Sequence, residues 1–165
     1  MKSLLIAGVI GAVSLTRLDA QVKPSASVAL VVRLYADFAC EAVVDTPGCD
    51  GHHELVDQPK PVLARYFDAQ LVRLWLADRS CAARSHEICN LDFTPMWASQ
   101  DPIGTTVRIL PTVDSAAVDV ELRNTQSSAK RVLRYALVKT PDGWRIHNIS
   151  MGKEWSLVAL LSRKD

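Results

Sequence analysis

The chain has 165 residues, of which 48% are hydrophobic and 22% are charged, and its formal net charge is +1 at pH 7. This length indicates a single domain that can bury a core, and the apolar content excludes a disordered chain. The near balance of charge argues against nucleic acid or an anionic membrane as the main partner.

The first twenty residues have the layout of a secretory signal peptide. Lys2 precedes an apolar run from Leu4 to Leu15, and Ala20 supplies a small residue for cleavage. The apolar run is too short to span a bilayer comfortably. We predict cleavage after Ala20, a periplasmic or secreted location, and no membrane attachment afterwards; an uncleaved anchor is the alternative. The mature segment, residues 21–165, then carries equal numbers of basic and acidic residues.

Four cysteines follow the predicted leader, and an even number in an exported chain indicates disulfides. Three pairings are possible. We favour Cys40–Cys49 and Cys81–Cys89, because each bridge would join a helix end to the loop after it. Each short loop would contribute about 2–3 kcal/mol. A zinc site with Cys81, His86 and Cys89 is the alternative, but the spacing is not a paired C-x-x-C pattern, so we expect no metal and no cofactor.

Two amphipathic helices are predicted in the N-terminal half. In residues 27–45, apolar side chains recur at intervals of three and four. Residues 46–58 form a loop, in which Gly48 and Gly51 supply turns. A second helix is expected from Pro59 to about residue 79, since proline is tolerated in the first turn.

From residue 105 the hydrophobic period becomes two, which is typical of strands. Strands are predicted at 105–110, 116–124, 131–139 and 143–150, followed by a short helix at about 155–162. This order predicts one α+β domain over residues 21–165. Its N-terminal helices would pack on one face of a curved antiparallel β-sheet of about four strands, with a short C-terminal helix at the end.

A loop of the form D-F-x-P followed by Q-D, and a last hairpin containing D-G-W-x-I, carry a family resemblance. The residues are Asp92, Phe93, Pro95, Gln100, Asp101, Asp142, Gly143, Trp144 and Ile146. Over residues 27–150 the chain resembles the cone-shaped superfamily of nuclear transport factor 2-like and cystatin-like proteins. Within it, the chain is most similar to a family of small exported bacterial proteins of unknown function. The resemblance implies a curved sheet, export to the periplasm and no assigned reaction.

The loop "CNLDFTPMWASQDP" at residues 89–102 has both a structural and a catalytic interpretation. Thr94 can cap a short helix, and Asp92, Gln100 and Asp101 can bind loop amides. Alternatively, Asp92 and Asp101 form a carboxylate pair for acid–base chemistry. We favour the structural interpretation, because the loop contains no histidine of its own.

The sequence favours an exported, periplasmic, non-enzymatic binding protein. One version is an immunity-type inhibitor of a toxin that acts in the periplasm, which makes the partner a periplasmic or secreted protein. The expected contact areas are the loop at residues 46–57 and the strand face that carries Asp119, Glu121 and Arg123.

The alternative function is a small-molecule-binding or isomerase- or dehydratase-like protein that uses the interior of the cone. The polar groups for such a site are Tyr35, Tyr66, Asp92 and His147. A pocket of a few hundred Å³ with convergent polar groups would be required. An interior filled by Trp75, Tyr135 and Trp144 would argue against it.

Overall fold

The computed structural model describes residues 24–43, 49, 54–110, 112–126 and 130–163. The predicted signal peptide and most of the predicted contact loop at 46–57 lie outside these residues, so export by a cleaved leader stays a prediction. None of the helices in the described ranges has both the length and the apolar character needed to cross a membrane.

The first helix, α1, spans Ala26–Asp37 and is shorter than predicted. Ser25 caps its start, since the Ser25 Oγ accepts a hydrogen bond from the Val28 amide at 3.3 Å. A 3₁₀ helix at Ala39–Ala42 follows, and the backbone of Val43 is extended. The regular helix therefore ends at Asp37, and the 3₁₀ turn does not continue past Ala42, since Val43 is β-branched and favours extended backbone.

The second predicted helix is two helices, α2 at Lys60–Leu63 and α3 at Ala69–Ser85. Between them, the chain pairs with a distant strand residue, Ile146. The Ile146 amide donates to the Tyr66 carbonyl at 2.7 Å, and the Asp68 amide donates to the Ile146 carbonyl at 3.0 Å. The Asp68 Oδ1 then caps α3 by accepting from the Leu71 amide at 2.8 Å. Long-range backbone pairing therefore interrupts a segment that is helical by its local pattern.

The sheet has five antiparallel strands in the order β1-β2-β3-β4-β5. The strands are β1 Thr105–Leu110, β2 Ala117–Asn124, β3 Lys130–Thr140, β4 Gly143–Met151 and β5 Trp155–Ser156. A register shift between Ala136 and Leu137 interrupts the pairing of β3 with β4. A second 3₁₀ helix lies at Leu55–Asp57, and α4 spans Leu157–Leu161.

The predicted α+β class is confirmed: N-terminal helices pack on the antiparallel sheet and a short helix ends the fold. The fifth strand was not predicted, because two residues are too few to show a period. The core lies between α1, α3 and the sheet, and it includes the fully buried side chains of Leu34, Phe67, Leu71, Trp75 and Tyr135. The Tyr35 ring packs edge-on against the rings of Trp97 and Tyr135, with centroids 5.2 and 6.1 Å away.

Candidate functional site

The tyrosines predicted to line a cone interior are committed to hydrogen bonds inside the protein. The Tyr35 hydroxyl donates to the Met96 carbonyl at 2.6 Å and lies 2.7 Å from the Tyr135 hydroxyl. The Tyr66 hydroxyl donates to the Asp37 carboxylate. Burial raises the pKa of Tyr35 and Tyr135 above the ordinary value, and burial together with Asp37 raises the pKa of Tyr66 to about 12. All three hydroxyls are therefore protonated at neutral pH and hold the core together.

Aromatic side chains fill the interior of the fold. Trp75 is 1% exposed and Tyr135 is fully buried, while Trp144 is half-buried against the core. This filling argues against a reaction chamber between the helices and the sheet.

His147 belongs to a connection between β4 and α3. Its Nδ1 lies 2.6 Å from the Asp68 Oδ2, and the other oxygen of Asp68 caps α3. The contact fixes the strand to the start of the helix, and within the described residues no hydrogen bond joins His147 to Tyr35, Tyr66 or Asp92.

A cleft of about 540 Å³ lies between the second 3₁₀ helix, α3 and the loop that begins at Ile88. We call it the acidic cleft, because its lining includes Glu54, Asp57, Asp78 and Asp92. Among the described residues, the lining has one basic side chain, Arg79, which donates to the Gln58 carbonyl at 2.6 Å. The cleft therefore has an excess of negative charge.

The acidic side chains of the cleft differ in their burial and in their hydrogen bonds. Asp78 is buried and accepts a hydrogen bond from the Asn90 amide at 2.8 Å, which anchors the loop to α3. Asp92 is exposed and accepts from the Gln100 side chain at 3.5 Å. Glu54 and Asp57 are also exposed. The cleft thus offers solvent three carboxylates, those of Glu54, Asp57 and Asp92.

Apolar side chains form the rest of the lining. They are Val56, Trp75, Ala82, Ile88, Leu91 and Phe93. Ile88 is 68% exposed, beside the Cys81–Cys89 disulfide, which joins the loop to α3. Trp75 is almost fully buried, and its indole Nε1–H has no hydrogen-bond partner among the described residues.

A smaller cavity of about 70 Å³ shares Glu54, Thr94 and Gln100 with the cleft and adds Glu41. The Glu41 Oε1 accepts from the Leu55 amide at 2.5 Å, and its Oε2 accepts from the Trp97 indole at 2.7 Å. The pKa of Glu41 is raised to about 7, mainly by burial and in smaller part by the charges of Glu54 and Asp57, while the two hydrogen bonds oppose this rise. Glu41 therefore ties the first 3₁₀ helix to both sides of the cleft.

The structure brings together some of the loop residues singled out in the sequence. Asp92 and Gln100 line the acidic cleft, but Asp101 is not in its lining. The Asp101 Oδ1 accepts from the Ile103 amide at 3.1 Å, and its carbonyl accepts from the Ser99 hydroxyl at 2.7 Å. Asp101 therefore forms a turn of its own, outside the cleft lining to which Asp92 belongs.

The expected short helix at Thr94 is a turn, closed by a hydrogen bond from the Thr94 amide to the Ser99 carbonyl at 3.0 Å. Met96 and Trp97 inside this turn are 0% and 2% exposed. The turn therefore packs Met96 and Trp97 into the core, while Asp92 and Gln100 on either side of it line the cleft.

The strand face carrying Asp119, Glu121 and Arg123 is largely paired within itself. Glu121 is 3% exposed, and its two oxygens lie 2.5 Å from Arg123 Nε and Lys130 Nζ. Lys130 first, and then Arg123, hold the pKa of Glu121 below its ordinary value. Asp119 pairs with the Arg134 guanidinium at 3.3 Å. These charges are less available to a partner than those of the acidic cleft.

Both favoured disulfides are present, with Cα–Cα distances of 5.2 Å for Cys40–Cys49 and 6.1 Å for Cys81–Cys89. No thiolate of Cys81 or Cys89 is left for zinc, and within the described ranges no group of three or more His, Cys, Asp or Glu side chains could hold a metal ion. Two disulfides indicate an oxidising, extracytoplasmic compartment.

Comparisons with known proteins do not assign a family. No family model matches the chain, and no curated protein sequence matches it. One solved structure that aligns with it is described as the phospholipid-binding protein from Ralstonia solanacearum in complex with a phospholipid. The two chains are 13% identical, the alignment covers 82% of this chain and 78% of that one, and the TM-score is 0.37. So weak a likeness is not evidence about this chain, and the nuclear transport factor 2-like resemblance stays a prediction.

Proposed function

We propose that the protein is an exported, non-enzymatic binding protein whose acidic cleft takes a basic segment of a periplasmic or secreted protein. The observation that supports this most directly is the placement of three exposed carboxylates in one cleft. Glu54 and Asp57 come from one segment and Asp92 comes from another. Clustered charge of one sign steers a partner of the opposite sign and discriminates against acidic partners.

Charge alone would give a weak complex, because an exposed ion pair contributes only about 0–1 kcal/mol. The exposed side chain of Ile88 supplies apolar area at the same cleft, next to the half-buried Leu91. Interfaces derive most of their affinity from a few apolar or aromatic anchors surrounded by polar contacts. A basic segment with an apolar residue beside its lysines or arginines would therefore fit best.

The cleft is prearranged by contacts that do not involve a partner. The Cys81–Cys89 disulfide and the Asp78–Asn90 hydrogen bond hold the loop on α3, and Glu41 holds Leu55 on the opposite side. A prearranged surface loses less conformational entropy on binding.

An immunity-type inhibitor of a periplasm-acting toxin is the more specific form of this proposal. It requires a toxin with a basic surface, which the acidic cleft would cover. Export by the predicted leader would place the mature chain, residues 21–165, where such a toxin acts. The two disulfides fit that compartment.

The test compares capture by three forms of the oxidised mature chain from envelope and culture extracts. The forms are the wild type, a cleft variant with Glu54→Gln, Asp57→Asn and Asp92→Asn, and a control variant with Asp114→Asn, Asp119→Asn and Glu154→Gln. The control removes the same amount of charge from sites outside the cleft.

We expect the wild type and the control to capture a basic protein in stoichiometric amount, and the cleft variant to capture none of it. This binding should weaken as the salt concentration is raised. In a direct titration, a lysine-rich peptide carrying one leucine should bind the wild type and the control more tightly than the cleft variant. A glutamate-rich peptide should bind none of the three. Equal capture by the cleft variant would rule out the cleft as the binding surface.

A further inference from the structure

A second cavity, of about 670 Å³, lies between α2, the first half of α3 and the turn that joins β3 to β4. We call it the basic groove. Its apolar lining consists of Ala64, Phe67, Ala69, Val72 and Leu76. Phe67 and Val72 belong to the core, and Leu76 packs against it, so this apolar strip is rigidly supported. Its volume lies within the range of small-molecule sites, about 300–1,000 Å³.

Three basic side chains from three different elements surround this strip. They are Lys60 of α2, Arg73 of α3 and Arg145 of β4. Arg145 is held in place, because its Nε donates to the Ala64 carbonyl at 3.0 Å and its Nη1 donates to the Asp142 carbonyl at 3.2 Å. The side chains of Lys60 and Arg73 make no hydrogen bond or ion pair with any other residue that the structure describes, so their charges are available.

The two acids in the groove lining, Asp68 and Asp142, offset only part of this positive charge. Both oxygens of Asp68 are engaged, one with the Leu71 amide and the other with His147. Asp142 is exposed on the turn. An adjoining cavity of about 290 Å³ shares Asp142 and Arg145 with the groove and adds Arg33 and Arg65. Its other acid, Asp37, accepts from the Tyr66 hydroxyl. The positive charge therefore extends beyond the groove.

We infer that the basic groove binds a single-chain amphiphile with an anionic head group. The head, a carboxylate or a phosphate, would lie against Lys60 and Arg73, since both side chains donate charge-assisted hydrogen bonds to such groups. The tail would cover the strip around Val72 and Leu76. An apolar strip with unpaired cations at its border matches the two halves of such a molecule, and the acidic cleft would repel it.

The test titrates the oxidised mature chain with decanoate, decyl phosphate, decyltrimethylammonium and decanol, each below its micelle concentration. Amide chemical shifts in NMR spectra locate the binding, and calorimetry measures it. The groove variant carries Lys60→Gln and Arg73→Gln. The control variant carries Arg84→Gln and Lys153→Gln, which remove equal charge from exposed positions outside the groove. Thermal unfolding of both variants confirms that they are folded.

We expect decanoate or decyl phosphate to shift the amides of Ala64, Ala69 and Leu76, and to bind the groove variant about tenfold more weakly than the wild type or the control. The preference between the two anions identifies the head group. Decyltrimethylammonium binding as well as the anions, unchanged affinity in the groove variant, or no shift at these amides would overturn the inference. The acidic cleft shares none of these residues, so either result leaves the proposal for the cleft untouched.

Discussion

The hydroxyl oxygens of Tyr35 and Tyr135 lie 2.7 Å apart in the centre of the core. The direction of this hydrogen bond follows from a third group. The Tyr35 hydroxyl lies 2.6 Å from the Met96 carbonyl, which can only accept, so Tyr35 gives its proton to Met96. Tyr135 must then donate to the Tyr35 oxygen. The sequence separations are 61 and 100 residues, so this chain of hydrogen bonds joins α1, the loop and β3.

The direction of these hydrogen bonds predicts that two similar substitutions lower the free energy of unfolding by different amounts. Tyr35→Phe leaves both the Met96 carbonyl and the Tyr135 hydroxyl buried without a partner, and we expect it to lower the free energy of unfolding by about 2–4 kcal/mol. Tyr135→Phe leaves the Tyr35–Met96 bond intact and should cost about 1 kcal/mol. Urea unfolding of both variants measures the difference. Equal costs, or a larger cost for Tyr135→Phe, would show that the direction is wrong.

The strands could be predicted from the sequence because their signal is local. Val118, Val120 and Leu122 alternate with charged residues, and all three are buried on the core face. The division between α2 and α3 could not be predicted, because it depends on backbone pairing between Phe67 and Ile146, 79 residues apart. Nothing in the local pattern marks that pairing.

The candidate site was predicted only in part for the same reason. Asp92 and Gln100 stood out because a short loop concentrates polar residues and prolines. Glu41 gave no signal, since its importance comes from contact with Trp97, 56 residues later in the chain. A helical glutamate next to a cysteine looks like an ordinary surface residue in a sequence.

Glu41 should make stability depend on pH between about 4.5 and 7. Its pKa in the folded state is about 7, against an ordinary value of 4.5, so the folded protein holds this proton more tightly than the unfolded chain. The stabilising contribution is complete below pH 4.5 and is lost as the pH rises through 7. The slope from one proton is at most about 1.4 kcal/mol per pH unit.

The measurement is the free energy of unfolding at a series of pH values for the wild type and Glu41→Gln. The advantage of the wild type over the variant should shrink as the pH rises from 5 to 7. Glutamine cannot titrate, so subtracting its curve removes the contribution of all other groups. A difference that stays constant over this range would contradict the raised pKa.

The two disulfides should contribute similarly to stability but differently to binding. Their sequence separations are 9 and 8, so the loss of either, by a double Cys→Ser substitution, should cost about 2–3 kcal/mol. Cys81–Cys89 lies next to Ile88, and we expect only its removal to weaken the binding of a lysine-rich peptide at the acidic cleft. Titration of that peptide into both variants checks this. Equal weakening in both would mean that the bridges act through overall stability.

A comparison of Trp75 with Trp97 measures how much one buried hydrogen bond contributes to stability. Both side chains are almost fully buried, at 1% and 2% exposure. The Trp97 indole donates to Glu41, whereas the Trp75 indole has no partner among the described residues. Tryptophan to phenylalanine removes similar volume at each position, but only at residue 97 does it leave a buried acceptor without its donor.

We therefore expect Trp97→Phe to cost about 1–3 kcal/mol more than Trp75→Phe in urea unfolding. Trp97→Phe should also raise the pKa of Glu41 further, because the lost hydrogen bond favours the ionised carboxylate. That second effect would appear as a shift of the pH dependence to higher pH, and a mere loss of packing would not produce it. If Trp75→Phe is the more damaging change, then its indole has a partner that satisfies it in solution, and the cleft that it lines contains an ordered acceptor.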